Sequence, residues 1–309
     1  MIVTVTPNPS IDRTLRVPPI VRGGVHRAAS ATAEAGGKGI NVARALVTEG
    51  HAAQAIAPLS ATSAVAMRAL LGLTPPLHAV PIAGAIRVNV SLVEDDGTVT
   101  KVNEPGPPLS DVETEALLAT VAAIGSGATW VVGCGSLPPS VAADFYARLA
   151  RRVPSGVRVA VDADGAALQA CRGQRLALIK PNLRELEGLV DRSLPTLGDV
   201  VAAAGDLVAG GIDAVLVSLG QDGAVLVDRD GASHAEAHVE DVVNTVGAGD
   251  ALLAGFLAGG GRRDALVGAV AWSVAACRSP GTQMRRVERA DVDAVTVHDA
   301  PDPARRLAA

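Results

Sequence analysis

The chain has 309 residues, a length that suits two domains or one large α/β domain. Hydrophobic residues make up 49% of the sequence and charged residues 19%, so the chain is too apolar for a disordered protein. The net charge is −5 and there are only two Trp, one Tyr and two Phe, which leaves neither a basic stripe for phosphates nor aromatic platforms for bases. We therefore expect no nucleic-acid partner, and a core of small aliphatic residues on buried parallel strands.

The cysteines Cys134, Cys171 and Cys277 are far apart and form no CxxC pair. This spacing argues against a disulfide framework or a zinc site, so we expect reduced thiols and a cytoplasmic protein. The amino terminus runs into a strand-like segment without a charged leader. The longest uncharged stretch, residues 116–143, is interrupted by glycines and prolines, so we expect no transmembrane helix and no membrane partner.

Short apolar runs alternate with amphipathic stretches along most of the chain. The runs predict buried strands at residues 2–6, 54–57, 129–133, 158–162, 176–180 and 214–218. The amphipathic stretches predict helices at residues 39–49, 63–71, 111–124, 142–152, 183–190, 197–209, 248–258 and 263–278. Strands that alternate with helices predict a parallel sheet covered by helices on both faces. The tail after Val297 is expected to fray.

Residues 87–94 and 99–103 depart from this alternation. Both segments have the period of half-buried strands, and Asp95-Asp96-Gly97 between them is a hairpin turn signal. Residues 14–17 are expected to pair with them in a small β-flap attached to the main sheet. The apolar face of such a flap needs cover from the main domain or from a second subunit.

A glycine-rich segment, NTVGAGD at residues 244–250, leads into a predicted helix. Glycines at a helix start let backbone N–H groups point outward, and the helix dipole adds to the attraction for an anion. Asp250 then lies in the first helical turn, next to that anion site. It either accepts a proton from a hydroxyl that attacks a phosphoryl group, or only complements the helix dipole.

A second glycine-rich segment, EAGGKGINVAR at residues 34–44, also opens an amphipathic helix. Its glycines allow the backbone to approach a ligand closely, and Lys38 adds a positive charge where the dipole already favours an anion. Asn41, about one turn further, offers both a donor and an acceptor. The alternative is a glycine-rich turn with a solvated lysine.

Two more polar segments follow predicted strands. In KPNLREL at residues 180–186, Asn182 and Glu185 have a spacing that suits either oxygen ligands for Mg²⁺ or a helix capping box. The segment SLGQDGA at residues 218–224 is either a plain turn or one wall of a nucleotide pocket.

Polar residues of the predicted flap complete the candidate site. Arg87 and Asn89 alternate along one strand and so face the same side, where the guanidinium either binds a phosphate or lies free on the surface. Asp12 is a candidate acceptor for sugar hydroxyls, or a plain loop acid. Among the six histidines only His234 and His238 have a metal-like spacing, and it is weakly diagnostic, so we expect no metal there.

Taken in order, GGKGINVAR, KPNLREL and NTVGAGD resemble the PfkB, or ribokinase-like, family of carbohydrate kinases. The resemblance covers nearly the whole chain, and TPNPSIDRTL, KVNEPGP and GCGSLPPS are most similar to its 1-phosphofructokinase branch. It implies one kinase domain over residues 1–309, with a three-layer α/β/α fold and a mostly parallel central sheet. It also implies a β-flap lid from about residues 13–18 and 86–104, and a homodimer that forms through this lid.

The resemblance further implies ATP-dependent phosphorylation of a sugar or sugar phosphate with Mg²⁺. Asp250 matches the catalytic base, beside an anion hole at Gly247, Ala248 and Gly249. A nucleotide site is implied at Lys180, Asn182, Ser218, Gly220, Gly223, Thr245, Gly247 and Gly249, with Mg²⁺ held through water by Asn182 and Glu185. Contacts with the acceptor are implied at Asp12, Gly36, Gly37, Lys38, Asn41, Arg87, Asn89 and Asn103.

Lys38 and Arg87 decide the expected acceptor, because two cations beside one pocket suit the phosphate of a sugar phosphate. A minor 6-phosphofructokinase of the same family has glycine in place of this lysine, so the resemblance favours tagatose 6-phosphate or fructose 1-phosphate as the acceptor, with the new phosphate added to the 6-hydroxyl of the latter. A 6-phosphofructokinase, a kinase for unphosphorylated sugars and a non-catalytic sugar-phosphate sensor are the alternatives, and the sensor would not need Asp250. A nicotinamide dehydrogenase is disfavoured because Pro7-Asn8-Pro9 follows the first strand where such enzymes have GxGxxG.

The chain departs from the family pattern at three places. Ser60, Ala61 and Ser63 stand where family members have glycines near the sugar, which leaves the shape of the acceptor pocket open. Ile86 replaces a frequent threonine, and Asp162-Ala163-Asp164-Gly165 replaces a frequent Asp-x-Ser-Gly. We expect none of these positions to touch the phosphoryl-transfer centre.

Overall fold

The computed structural model describes residues 1–308 and contains two β-sheets. The strands are β1 (Ile2–Val5), β2 (Ser10–Val17), β3 (Ser30–Gly36), β4 (Ala53–Leu59), β5 (Leu77–Pro81), β6 (Arg87–Glu94), β7 (Val99–Asn103), β8 (Trp130–Cys134), β9 (Arg158–Asp162), β10 (Leu178–Ile179), β11 (Ala214–Ser218), β12 (Ala224–Asp228), β13 (Gly231–Ala237) and β14 (Val295–His298). The central sheet has ten strands in the order β5-β4-β1-β8-β9-β10-β11-β12-β13-β14. Strands β5 to β11 in this order run parallel, and β12, β13 and β14 extend one edge in antiparallel fashion.

Helices cover both faces of the central sheet. They are α1 (Lys38–Thr48), α2 (Ala61–Leu71), α3 (Asp111–Gly125), α4 (Phe145–Arg152), α5 (Gly165–Gln169), α6 (Leu183–Val190), α7 (Leu197–Ala209), α8 (Ala248–Ala258), α9 (Leu266–Cys277) and α10 (Arg289–Asp293). One apolar cluster joins α1, α8 and α9 to the sheet, and a second joins α3, α4, α6 and α7 to its other face. The predicted three-layer α/β/α arrangement is therefore confirmed.

The strands of this sheet are buried on both faces, as β8 illustrates. Val131 and Val132 are neighbours in the chain and both are fully buried, but each belongs to a different apolar cluster. Successive side chains of a strand point to opposite faces, so a strand covered on both sides is apolar at every position. Burying such a side chain contributes about 1.5–3 kcal/mol. None of the helices within residues 1–308 is both long and apolar enough to cross a membrane.

The second sheet has four strands in the order β3-β2-β6-β7. It contains the predicted flap, and β6 and β7 have the predicted bounds. Strand β2 is longer than expected because it begins at Ser10, and β3 was not predicted. The sequence of β3, SATAEAG, is mostly exposed and lacks the apolar alternation that identifies a strand. We refer to this element as the small sheet.

Several helix and strand ends differ from the prediction, and a local cap explains one of them. Helix α2 begins at Ala61, two residues early, since the Ser60 hydroxyl caps it by accepting from the Ser63 N–H at 3.3 Å. Helix α4 begins only at Phe145, and a short 3₁₀ turn (Arg263–Ala265) precedes α9. Strand β10 keeps only Leu178–Ile179 of the predicted residues 176–180.

The expected fraying after Val297 is wrong for the described part of the tail. Strand β14 continues to His298 and pairs with β13. Further on, the Leu197 N–H donates to the Arg305 carbonyl at 2.9 Å, and the Leu307 N–H donates to the Pro195 carbonyl at 3.1 Å. Tertiary hydrogen bonds hold this segment, and a polar tail sequence carries no local signal for them.

Candidate active site

Four charged side chains meet at the carboxyl ends of the central strands. Asp162 is the last residue of β9 and Lys180 follows β10, while Lys38 opens α1 and Asp250 lies in the first turn of α8. Neighbouring parallel strands end at the same edge of a sheet, where open α/β folds place their ligands. The topology therefore brings together segments that are more than 200 residues apart in the chain.

Asp162 joins the two lysines. Its carboxylate is fully buried, with Lys38 Nζ 2.7 Å from Oδ1 and Lys180 Nζ 2.9 Å from Oδ2. Burial raises the pKa of Asp162, but the charges of Lys180 and Lys38 outweigh this effect and hold it below its usual value. The expectation that residues 162–165 lie away from the centre is therefore wrong for Asp162. The sequence feature that could have identified Asp162 as a site residue is an acidic side chain at the carboxyl end of a buried strand.

Asp250 is the candidate base and is only 8% exposed. Its Oδ2 accepts a hydrogen bond of 2.8 Å from Asn41 Nδ2. Burial, and then the negative charge of Asp162, raise the pKa of Asp250 to about 6, although the Asn41 hydrogen bond opposes the shift. A carboxylate with a pKa near neutrality is a more effective proton acceptor than an ordinary aspartate and is still ionised at physiological pH.

The turn before α8 presents free backbone N–H groups. Gly247 has φ +85°, and a Cβ there would lie 3.0 Å from the Thr282 carbonyl, so the turn requires glycine. The Ala248 N–H donates to the Thr245 carbonyl at 3.3 Å, while within residues 1–308 the N–H groups of Gly249 and Asp250, in the first helical turn, have no backbone acceptor. Of the three residues predicted for the anion hole, Ala248 therefore has an occupied donor.

Lys180 lies beside this turn. A Cβ built on Gly249 would be only 3.6 Å from Lys180 Nζ, and the lysine is 4% exposed. An ammonium group and free helix N–H groups thus converge from two elements. Together they can stabilise negative charge on a transferring phosphoryl group.

The polar face of the small sheet forms the other side of the site. Strand register places Asp12 opposite Asn89 and Asn89 opposite Asn103. Asp12 Oδ1 accepts from Ser10 Oγ at 2.7 Å and from Asn89 Nδ2 at 3.0 Å. A Cβ on Gly36 would lie 2.3 Å from Asp12 Oδ2, so this glycine leaves the space that the carboxylate occupies.

Several buried polar atoms near this face have no partner within residues 1–308. They are Asn41 Oδ1, Asn89 Oδ1 and Arg87 Nε. A buried polar atom without a hydrogen bond costs about 1–3 kcal/mol. Acceptors and a guanidinium donor that are left open in this way suit a ligand with several hydroxyl groups and a negative charge.

Arg87 begins β6 and is half-buried. Burial lowers its pKa, and the nearby charges of Asp12 and Asp164 only partly offset that effect, so a bound anion would relieve the cost of burying the guanidinium. Ser63 Oγ accepts from the Ile86 N–H at 3.2 Å. The Ser60–Ser63 segment, where the chain departs from the family pattern, therefore lies next to Arg87.

Asn182 and Glu185 form the predicted capping box at the start of α6. Asn182 Oδ1 accepts from the Glu185 N–H at 2.9 Å, and Glu185 Oε2 accepts from the Asn182 N–H at 2.8 Å. The second oxygen, Oε1, is not part of the box and lies 3.8 Å from Lys38 Nζ. Burial raises the pKa of Glu185, so a cation at this oxygen would be favourable.

The segment after β11 is a tight turn next to Asn182, which forms an isolated bridge with Ser218. Gly220 has φ +63° and Gly223 has φ +82°, and a Cβ on Gly223 would lie 2.1 Å from the Ala235 carbonyl. Thr245, the remaining predicted nucleotide contact, is exposed. The two histidines with metal-like spacing, His234 and His238, do not stack on each other. His234 stacks on His298, and His238 is exposed.

Comparison with known proteins assigns the family. A family model described as pfkB family carbohydrate kinase matches residues 6–287. The chain belongs to the pfkB family of carbohydrate kinases. The family and the kinase activity that the sequence motifs implied are therefore confirmed.

Individual members of the pfkB family are similar over most of their length. A 1-phosphofructokinase of Rhodobacter capsulatus is 38% identical over 262 residues, which cover 83% of this chain and 82% of that protein. An ATP-dependent 6-phosphofructokinase isozyme 2 of Mycobacterium tuberculosis is 34% identical over 292 residues, covering 91% and 85%. The structure of phosphofructokinase-2 from Escherichia coli superposes with a TM-score of 0.86 at 32% identity, covering 94% and 96% of the two chains.

Proposed function

We propose that this carbohydrate kinase transfers the γ-phosphoryl group of ATP to the 6-hydroxyl of fructose 1-phosphate. The observation that carries the proposal is the position of Asp250. It is buried against Asn41 and lies beside the Lys38–Asp162–Lys180 cluster and the free amides of α8. A proton acceptor next to groups that attract phosphate is the arrangement that phosphoryl transfer to an alcohol requires.

In the proposed reaction Asp250 takes the proton of the acceptor hydroxyl as its oxygen attacks the γ-phosphorus. The bond from that phosphorus to the bridging oxygen of ADP breaks, and ADP leaves. The amides of Gly249 and Asp250, together with Lys180, stabilise charge on the transferring group. Glu185 Oε1 and the Asn182 side chain would hold Mg²⁺ through water, and the bound ion would neutralise phosphate charge.

The acceptor is proposed to bind between Lys38, at the start of α1, and the polar face of the small sheet. Asp12, Asn41 and Asn89 would bond sugar hydroxyls, while Lys38 and Arg87 would bind the phosphate. Burial lowers the pKa of Lys38, but the charges of Asp162 and Glu185 outweigh it and raise the pKa, so the ammonium stays charged. The name of the Rhodobacter relative supports fructose 1-phosphate. A second candidate acceptor, fructose 6-phosphate, is supported by the name of the mycobacterial relative.

The small sheet is proposed to act as a lid and as a dimer interface. Its polar face carries Asp12, Asn89 and Asn103, so register places Val88, Val90 and Leu92 of β6 on the opposite face. Val102 of β7 lies on that apolar face and is 56% exposed. A second copy of the chain would cover these side chains and keep water from the reacting groups.

The proposal extends to the organisation and location of the protein. One kinase domain would span the whole chain, and its location would be cytoplasmic. The free thiols of Cys134, Cys171 and Cys277 support a reducing compartment.

The phosphate contact is tested with the variant Lys38→Ala. We expect KM for fructose 1-phosphate to rise about tenfold or more, while KM for free fructose changes less than about twofold, because only the first acceptor carries the phosphate. Steady-state ADP release with both acceptors measures this ratio. Equal effects on the two acceptors would contradict the phosphate role of Lys38.

A further inference from the structure

Residues 302–308, here called the tail strap, lie against the turn that follows β11. Backbone hydrogen bonds also fix the strap to the start of α7. These bonds run from Leu197 N–H to the Arg305 carbonyl (2.9 Å), from Leu307 N–H to the Pro195 carbonyl (3.1 Å) and from Gly198 N–H to the Pro303 carbonyl (3.2 Å). The position of the strap is therefore determined by main-chain contacts, independently of its charged side chains.

The strap compensates the charge of Asp222, which ends the 3₁₀ turn Gly220–Asp222 and is 8% exposed. Arg305 Nη2 lies 3.3 Å from Asp222 Oδ1, and the Ala308 N–H donates to Oδ2 at 2.7 Å. In residues 1–308 no other group bonds to this carboxylate. The acidic side chain of a segment expected to line a nucleotide pocket is thus paired with the strap.

Arg305 also holds the strand next to this turn. It binds Glu236 of β13 through two parallel hydrogen bonds, to Oε1 at 2.8 Å and to Oε2 at 2.6 Å. The preceding residue, Ala235, is the one whose carbonyl packs against Gly223. One guanidinium therefore connects the turn, the strand that supports it and the tail strap.

The same contacts explain a cluster of His234, Glu236 and His298, whose side chains come close enough to hold a metal ion. Arg305 already occupies both oxygens of Glu236 with a positive charge, which opposes a cation. His234 Nε2 bonds the Asp222 carbonyl at 2.7 Å, and His298 Nε2 lies 3.0 Å from Glu236. The cluster is thus part of the anchor of the turn.

We propose that Arg305 is a positioning residue for nucleotide binding, which acts by holding residues 220–223 in shape through Asp222. The inference rests on the proposed function, since it assumes that this turn contacts ATP. Without Arg305, the nearly buried Asp222 carboxylate would lose its counter-charge and would be drawn towards water. The glycines at 220 and 223 allow such a movement because their backbone is permissive.

The variant Arg305→Ala tests the inference in the full chain. We expect KM for ATP to rise about tenfold, with KM for fructose 1-phosphate changed less than about twofold. The matched control is Arg263→Ala. Arg263 bonds Asp228 and Ser233 at the far end of the same β12–β13 hairpin, and its side chain is 32% exposed against 30% for Arg305. The control is expected to keep the wild-type KM for ATP.

Two further measurements separate positioning from general stability. Arg305→Lys keeps the charge but lacks the fork that reaches Glu236 and Asp222 together, so we expect an intermediate KM for ATP. Binding of ADP, followed as the rise in Tm with ADP concentration, is expected to weaken in Arg305→Ala and not in Arg263→Ala.

The KM for ATP of the Arg305 variants decides whether Arg305 positions the turn. An unchanged KM for ATP in Arg305→Ala, or equal increases for both substrates, would overturn it. If Arg305→Ala does not fold, Arg305→Lys carries the test, and a wild-type KM for ATP in that variant overturns the inference. A wild-type protein that transfers no phosphoryl group refutes the proposed function instead, and the ADP-binding comparison still decides the role of Arg305.

Discussion

Replacing Asp250 by asparagine is expected to reduce activity and to increase stability. The pKa of Asp250 is raised from the usual 3.8 to about 6, chiefly by burial. Each unit of difference between folded and unfolded states corresponds to about 1.36 kcal/mol, so the buried charge costs about 3 kcal/mol above pH 6. The Asp250→Asn substitution removes that charge, and the oxygen of the new amide can still accept from Asn41.

The sign of the pH dependence follows from the same shift. Below pH 3.8 the carboxyl is protonated in both the folded and the unfolded chain, so it costs nothing. The cost grows as pH rises from 3.8 towards 6 and is complete above that pH. Asp250→Asn should therefore gain about 3 kcal/mol at pH 8, about half of that at pH 5 and little at pH 4.

Urea denaturation at these three pH values measures the gain, and the ADP-release assay measures activity. We expect kcat to fall by roughly 10²–10⁴-fold, the usual effect of losing a general base. The matched control is Asp206→Asn on the exposed face of α7, which should change neither quantity. Near-native turnover in Asp250→Asn would remove Asp250 from the role of base. A loss of stability at pH 8 would refute the account of a strained buried charge.

Three other changes test the remaining parts of the site. Asp162→Asn leaves Lys38 and Lys180 without their buried counter-charge and should lower the free energy of unfolding by about 3–5 kcal/mol; an unchanged urea midpoint would contradict this. Glu185→Gln keeps the capping box but removes the carboxylate charge, so half-maximal activity should require about tenfold more Mg²⁺. Identical Mg²⁺ titrations of the variant and the wild type would argue against the metal role. Leu92→Glu puts a charge on the apolar face of the small sheet and should convert a dimer to a monomer in sedimentation equilibrium; a monomeric wild type would disprove the interface.

Several elements begin and end at the residues that the sequence pattern predicts, and most of them lie in the central sheet or against it. Strands β9 and β11 and helices α6, α7 and α8 have the predicted bounds, because apolar runs and helix caps mark both of their ends. Strand β3 was not predicted, and the tail strap was expected to fray. Strand β3 is ordered by pairing with the preceding strand β2, and the tail strap by hydrogen bonds to the start of α7. Their own sequences are alanine-rich or polar and carry no local signal for this order.

Only the part of the candidate site that carries a local sequence signal could be predicted. Asp250, Lys38 and Asn41 lie in glycine-rich helix starts, which carry a local signal for anion binding. Asp162 was misjudged because its role comes from two lysines that are distant in sequence. The role of Ser63 likewise depends on a contact with the Ile86 N–H that only the fold creates.

The most direct test of the proposed activity is a comparison of kcat/KM for four acceptors, measured as ADP release with Mg-ATP. The acceptors are fructose 1-phosphate, fructose 6-phosphate, tagatose 6-phosphate and free fructose. The proposal predicts a clear preference for fructose 1-phosphate, because Lys38 and Arg87 would bind its phosphate while the 6-hydroxyl faces Asp250. Activity on free fructose alone would contradict the sugar-phosphate assignment and would point to the Ser60–Ser63 segment as the place where specificity has changed.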